Sequence, residues 1–134
     1  MKVYFADTFY FLALLNLSDA AHGRAMAFTT NSRFRILTTD FVLIELANGL
    51  AKSRRGRAEF LSTMTDLQAA EESIVVPCDR DLVGEGVQLF AARPDKEWSL
   101  TDCISFVVMT KNGVTDALTA DHHFEQAGFV ALLK

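Results

Sequence analysis

Four acidic residues stand against apolar segments of this 134-residue chain: Asp7, Glu45, Asp102 and Asp121. Asp7 ends the run Lys2-Val-Tyr-Phe-Ala6, and Glu45 lies inside Phe41-Val-Leu-Ile-Glu-Leu46. Asp102 opens Cys103-Ile-Ser-Phe-Val-Val-Met109, and Asp121 follows Ala117-Leu-Thr-Ala120. An unpaired charge in an apolar setting is costly. Two carboxylates about 5 Å apart repel by roughly 3 kcal/mol at an effective dielectric of 20. A shared hard cation removes that conflict, and oxygen-only ligation suits Mg²⁺ or Mn²⁺. A cation held this way and open on one side can bind a phosphate oxygen and activate water. The chemistry that follows is phosphodiester hydrolysis.

The elements that must position these acids alternate. Strands are expected at Lys2–Ala6, Arg35–Thr38, Ser73–Pro77, Thr115–Thr119 and Phe129–Leu132; all are short and apolar, as buried parallel strands are. Helical patterns fill the gaps: Thr8–Leu15, Asp19–Thr30, Phe41–Lys52, Arg57–Ala70, Arg80–Ala91, Asp102–Lys111 and Asp121–Ala127. Asp19, Asp40 and Ser99 or Thr101 are the expected caps, with stops at Asn112-Gly113 and Gly128. This predicts one α/β domain spanning 1–134, a three-layer α/β/α sandwich over a short parallel sheet, for which the order 3-2-1-4-5 is taken. Ligand sites in such sheets lie beyond the carboxyl ends of the strands, where strand order reverses. Asp7 and Asp121 then flank the crevice, with Asp102 and Glu45 reaching it from helix starts.

Composition narrows the setting. A net charge of −4 gives no global basic field, so nucleic acid must be met by a local patch or a metal. Two cysteines, Cys78 and Cys103, without metal-type spacing suggest a reducing, cytoplasmic compartment. Phe9–Leu15 is read as a helix and not as a signal-peptide core, and no run is long enough for a membrane span.

The main basic cluster is Lys52-Ser-Arg-Arg-Gly-Arg57. Asn48 and Lys52 are expected on the face of the Glu45 helix, leading a phosphate backbone to the acids with Arg54, Arg55 and Arg57. Arg33 and Arg35 are weaker candidates. Blander readings apply elsewhere: His122 and His123 as helix-surface or packing residues, Cys103 as a small buried residue, Trp98 as packing before base stacking, Asp116 as a strand-edge acid.

Four segments also resemble PIN-domain motifs: Val3-Tyr-Phe-Ala-Asp-Thr8, Thr38-Thr-Asp-Phe-Val-Leu-Ile-Glu45, Ser99-Leu-Thr-Asp-Cys-Ile-Ser-Phe106 and Ala117-Leu-Thr-Ala-Asp-His-His-Phe-Glu-Gln-Ala-Gly-Phe129. The set is similar to the VapC-type ribonuclease toxins of bacterial toxin–antitoxin systems. That resemblance implies a Mg²⁺- or Mn²⁺-dependent endoribonuclease with Asp7, Glu45, Asp102 and Asp121 as its acidic cluster. It implies Thr8 and Thr119 as accompanying hydroxyls, a homodimer, and a small antitoxin partner. A ribonuclease H-like nuclease is the nearest rival, but it begins with consecutive antiparallel strands. A receiver-type metal-binding module is the non-catalytic alternative, and it wants adjacent acids early in the chain. A DHH phosphoesterase shares Asp121-His122-His123 but needs further motifs that are missing here.

Overall fold

The computed structural model describes all residues, Met1–Lys134. Twelve elements follow in order: β1 (Lys2–Ala6), α1 (Thr8–Leu15), α2 (His22–Asn31), β2 (Phe34–Thr39), α3 (Asp40–Leu50), α4 (Arg54–Ala69), β3 (Ile74–Val76), α5 (Arg80–Ala92), α6 (Leu100–Lys111), β4 (Asp116–Leu118), α7 (His122–Gln126) and β5 (Val130–Ala131). The five strands are all parallel, in the order β3-β2-β1-β4-β5. This is the expected alternation and the expected order. The chain steps outward from β1 through β2 to β3, then crosses back to β4 and β5. Right-handed crossovers therefore place α1–α4 on one face and α5–α7 on the other.

The strands are short but deeply seated. Phe5, Ala6, Leu37, Ala117 and Leu118 are fully buried. Register puts Ala6 opposite Leu118, so the carboxyl ends of β1 and β4 finish side by side. Thr38 Oγ1 donates to the carbonyl of Ala6 at 2.8 Å and pins β2 to the end of β1. Beneath α6 and α7 runs an aromatic chain. Phe124 packs 6.2 Å from Phe5 and 5.0 Å from Phe106, and Phe106 meets Trp98 edge-on at 5.1 Å. Such pairs add about 0.5–1.5 kcal/mol each beyond area burial. Here they fix a five-residue helix that could not hold its shape alone.

Several local expectations shift. α2 starts at His22 and not at Asp19. Asp19 accepts from Ala21 N–H at 2.8 Å and forms the turn before the helix. α3 is capped by Thr39, whose hydroxyl accepts from Val42 N–H, while Asp40 is its first residue and accepts from Cys78 N–H instead. α4 begins three residues before the expected Arg57, because Ser53 caps it through Gly56 N–H. On α4 and α5, Leu61, Val87 and Phe90 face solvent. The small residue Gly86 takes the buried position on α5, where a Cβ would come within 2.4 Å of Ile104 Cγ1. No helix is long and apolar enough to cross a membrane.

Candidate metal centre

Asp7 follows β1 directly and occupies the N-cap position of α1. Asp is a favoured capping residue, yet this side chain makes no cap bond. It accepts instead from the Thr119 hydroxyl at 3.0 Å, across the β1–β4 junction. Thr119 in turn accepts from Asp121 N–H at 3.1 Å. One buried hydroxyl thus ties Asp7 to the backbone that carries Asp121. Asp7 is only 8% exposed. Burial is the main cause that pushes its pKa up to about 7; the Thr119 hydroxyl opposes it, and the charges of Asp102 and Glu45 add to it. Asp102 and Glu45 are thus the two acids whose charge bears on Asp7.

Asp102 stands at the start of α6 in a capping box. Ser99 Oγ accepts from Asp102 N–H at 3.0 Å, and Asp102 Oδ2 accepts from Ser99 N–H at 3.1 Å. Ser99, not Thr101, is the cap. The ordinary helix-start role of this acid is therefore present, and the same oxygen lies 3.2 Å from His123 Nδ1. Asp121 caps α7, with Oδ1 accepting from His123 N–H at 2.9 Å, and sits 3.5 Å from His123 Nδ1.

His123 is therefore not the surface or packing residue that the sequence suggested. Its ring bridges Asp102 and Asp121 and is 19% exposed. The signal was available: an N-cap Asp with a His two residues on places the imidazole over the cap. Ser105 was also passed over. It lies one turn after Asp102, is buried, and its hydroxyl has no partner; the Thr8 hydroxyl beside Asp7 is the other such orphan.

Glu45 departs from expectation. It is exposed, as is its neighbour Ile44. The segment is helical, and Val42, Leu43 and Leu46 form its buried stripe, so Ile44 and Glu45 fall on the open side. The apolar neighbours do not bury the charge. What connects it to Asp7 is its charge, the smallest of the causes that raise the Asp7 pKa. Asp116 begins β4, two residues before the strand's carboxyl end, and accepts from the Thr115 hydroxyl; it stays outside the site.

The basic segment is mostly spent on the fold. α3 ends at Leu50, so Lys52 lies in the following turn and not on the face of Glu45. Arg57 Nε donates to the Ala51 carbonyl at 2.8 Å and closes the end of α3. Arg55 pairs with Glu59 at 2.8 Å on the surface. Asn48, three residues beyond Glu45 on α3, and Arg54 are exposed. Arg33 precedes β2 and Arg35 lies near its amino end, at the far edge of the sheet from the acids. Trp98 packs: its indole N–H donates to Gln126 Oε1 at 3.0 Å, with Arg93 over the ring. Cys103 is buried as expected.

The donors suit a hard divalent cation. The orphaned Thr8 hydroxyl belongs to the residue after Asp7, and burial, with the charges of Asp102 and Glu45 adding to it, holds that carboxylate toward its neutral form. Both conditions are relieved by positive charge. The tightest set of potential ligand atoms nonetheless includes imidazoles. Asp121, His122 and His123 each offer one atom within 4.8 Å of the others.

Comparison with known proteins agrees with this geometry. Residues 4–130 match the PIN domain family. Over 126 residues the chain is 30% identical to the 23S rRNA-specific endonuclease VapC20 of Mycobacterium tuberculosis, covering 94% of this chain and 95% of that one. The crystal structure of Mycobacterium tuberculosis VapC20, described as a Sarcin-Ricin loop cleaving toxin, superposes with a TM-score of 0.85 at 28% identity, over 96% of this chain and 97% of that one. VapBC2 from Rickettsia felis, bound to a DNA fragment from its promoter, aligns with a TM-score of 0.65 at 14% identity, over 96% of each chain. FitAcB from Neisseria gonorrhoeae aligns with a TM-score of 0.65 at 17% identity, over 96% and 94%; these last two share the fold. With a parallel sheet in the expected order, acids at the reversal of strand order and a family match across nearly its whole length, the chain belongs to the PIN domain family.

Proposed function

We propose that this chain is a divalent-metal-dependent endoribonuclease and the toxin of a toxin–antitoxin pair. The observation that carries the reading is Asp7: a carboxylate at a strand end, nearly sealed from water, with its pKa pushed up to about 7 and Asp102 and Glu45 acting on it. A purely structural acid would be paired with a cation or removed. Asp7, Glu45, Asp102 and Asp121 are the residues that would hold Mg²⁺ or Mn²⁺, with the Thr8 hydroxyl as an unspent oxygen beside them. The bound ion would supply Lewis acidity toward a phosphate oxygen and lower the pKa of water.

The chain's own residues have distinct tasks in this reading. Thr119 orients Asp7 by donating to Oδ2 and fixes the Asp121 backbone with the same hydroxyl. The capping box sets the Asp102 carboxylate at the start of α6. Glu45, exposed on α3, faces the approach of the RNA and takes the water-side position. Asn48, Lys52 and Arg54 are the polar groups that line the phosphate path. Arg55 and Arg57 are secondary there, because each already has a protein partner. Ribosomal RNA is the substrate to test first, since the VapC20 relative is named for 23S rRNA.

The partner in this reading is a small antitoxin whose basic side chain enters the acidic groove, and the working form is a cytoplasmic homodimer. The decisive assay incubates the purified chain with intact ribosomes and with free 23S rRNA, with Mg²⁺, Mn²⁺ or chelator. Discrete cleavage that needs the cation and disappears in Asp7→Asn is the expected result. Cleavage that persists in the chelator, or in folded Asp7→Asn, overturns the assignment. Co-expression with the product of the adjacent gene tests the partner: stable co-purification and relief of growth arrest are expected.

A further inference from the structure

Against the four-acid site the molecule carries two nitrogen donors, one of which, His123, also has its Nδ1 3.2 Å from Asp102 Oδ2. His122 and His123 are consecutive at the start of α7, where helical geometry sets successive side chains about 100° apart. Their rings nonetheless approach to 4.4 Å between centroids. Both turn toward Asp121, which caps the helix. Asp121 Oδ1 lies 3.7 Å from Nδ1 of His122 and 3.5 Å from Nδ1 of His123. A tetrahedral ion with bonds of about 2.0–2.2 Å keeps its ligand atoms about 3.3–3.6 Å apart. These two separations are close to the edges of such a tetrahedron.

We propose that Asp121, His122 and His123 form a binding site for a Zn²⁺-type cation, built from side chains and sharing Asp121 with the oxygen site. Donor chemistry separates the two. Imidazole nitrogen selects Zn²⁺ and its transition-metal neighbours, whereas Mg²⁺ prefers oxygen and keeps its waters. His122 is two-thirds exposed, with 66% of its side chain accessible, so ions reach it directly. The polar notch that Asp95, Lys96, Glu97 and Gln126 form with the two histidines, with a volume of about 280 Å³, leaves room for water as the fourth ligand. The functional consequence rests on the nuclease reading. A Zn²⁺ ion seated here draws Asp121 away from Asp7 and Asp102 and inhibits hydrolysis supported by Mg²⁺.

The test uses the full metal-free chain. Zn²⁺ is titrated in competition with a chromogenic chelator, and Cu²⁺ is added separately to read nitrogen ligation by electron paramagnetic resonance. Wild type should bind one equivalent of Zn²⁺, with coupling from two nitrogens in the Cu²⁺ spectrum. His122→Gln, on an exposed position outside the four-acid set, should weaken Zn²⁺ by about tenfold or more, comparable to losing a well-placed partner at a metal site. It should lose one nitrogen coupling and keep its Mg²⁺-supported activity. Its inhibition by Zn²⁺ should move to correspondingly higher concentration. Unchanged Zn²⁺ affinity in both His122→Gln and His122→Gln/His123→Gln, or a Cu²⁺ spectrum without nitrogen coupling, overturns the site. Zn²⁺ binding lost in His122→Gln by a protein that cleaves no RNA upholds the site and sinks the nuclease reading alone. RNA cleavage with Zn²⁺ bound through both imidazoles and no inhibition overturns the shared-Asp121 consequence.

Discussion

The acidic end of the sheet and the basic turn after α3 are both dense in charge, but they differ in what their charges already do. Where β1 ends, Asp7 is buried without a cationic partner and the Thr8 hydroxyl after it has no partner at all. In Lys52–Arg57 the opposite holds for all but Lys52 and Arg54, whose charges are exposed. Ser53 caps α4, Arg57 closes α3 and Arg55 pairs with Glu59. Buried polar groups are normally satisfied, so an unsatisfied cluster marks a place where something else must bind. A satisfied one is explained by the fold. The difference separates a site from a solvated helix junction more sharply than charge density does.

The largest effect should come from breaking the unsatisfied side. Asp7→Asn keeps shape and hydrogen bonding but removes the central negative charge. Cleavage of rRNA in Mg²⁺ should fall by roughly a thousandfold or more, as when a principal electrostatic group is lost, with the circular dichroism spectrum unchanged. A loss of less than about tenfold would mean that the strained carboxylate is not where the chemistry lies.

The same residue should leave a mark on stability. Its folded-state pKa of about 7 lies above the ordinary aspartate value of 3.8. The folded state therefore binds the extra proton between those values, and stability falls as pH rises from about 4 to about 7. The shift corresponds to roughly 4 kcal/mol as an upper limit, at 1.36 kcal/mol for each unit. Metal-free wild type should show this decline in urea titrations from pH 4 to 8. Asp7→Asn should flatten its slope in that window, and saturating Mn²⁺ should restore wild-type stability near pH 7.5. Parallel slopes for the two proteins would show that Asp7 carries no such penalty.

Sequence reading reached the fold and the acids for different reasons. Short apolar runs alternating with helical periods pointed to buried parallel strands and covering helices; the strand order was assumed and did not come from the periodicity. Asp7 was legible because a strand end has a fixed direction. Glu45 was placed in the site by an argument that fails: its apolar neighbours lie on the buried stripe of α3, while the acid turns outward. On a helix successive side chains point about 100° apart, so apolar neighbours in sequence do not bury the acid between them. His123 was read as a surface or packing residue because its contact with Asp102 depends on α7 and α6 meeting, a tertiary fact carried by Phe106 and Phe124. The arginines misled for a similar reason: a charge string does not reveal which guanidinium the backbone has already claimed.

On the satisfied side, the packed turn should be sensitive in stability and nearly silent in catalysis. A Cβ at Gly56 would come within 2.3 Å of the Leu50 carbonyl oxygen, a backbone atom that cannot swing aside. Gly56→Ala should cost about 1–3 kcal/mol, as overpacking does, read as a lower urea midpoint. Cleavage per folded molecule should change little. A large loss of kcat in a well-folded Gly56→Ala would instead tie the turn to the acids.

The smallest effects sharpen the comparison most, because they divide the basic segment itself. Arg57→Ala removes the Nε bond to the Ala51 carbonyl, a contact worth about 1 kcal/mol of stability. Lys52→Ala and Arg54→Ala remove exposed charges with no protein partner to lose, so stability should hardly move. If the phosphate path runs over them, each should raise KM for RNA a few-fold at low salt, and the effect should shrink as salt rises. kcat should stay constant, since uniform binding and not the reacting centre is touched. Arg57→Ala should show the reverse pattern, with a lower urea midpoint and an unchanged KM. Equal KM effects from all three would mean that the partners seen for Arg57 do not hold it in the presence of RNA, and that the basic turn acts as one phosphate-binding surface after all.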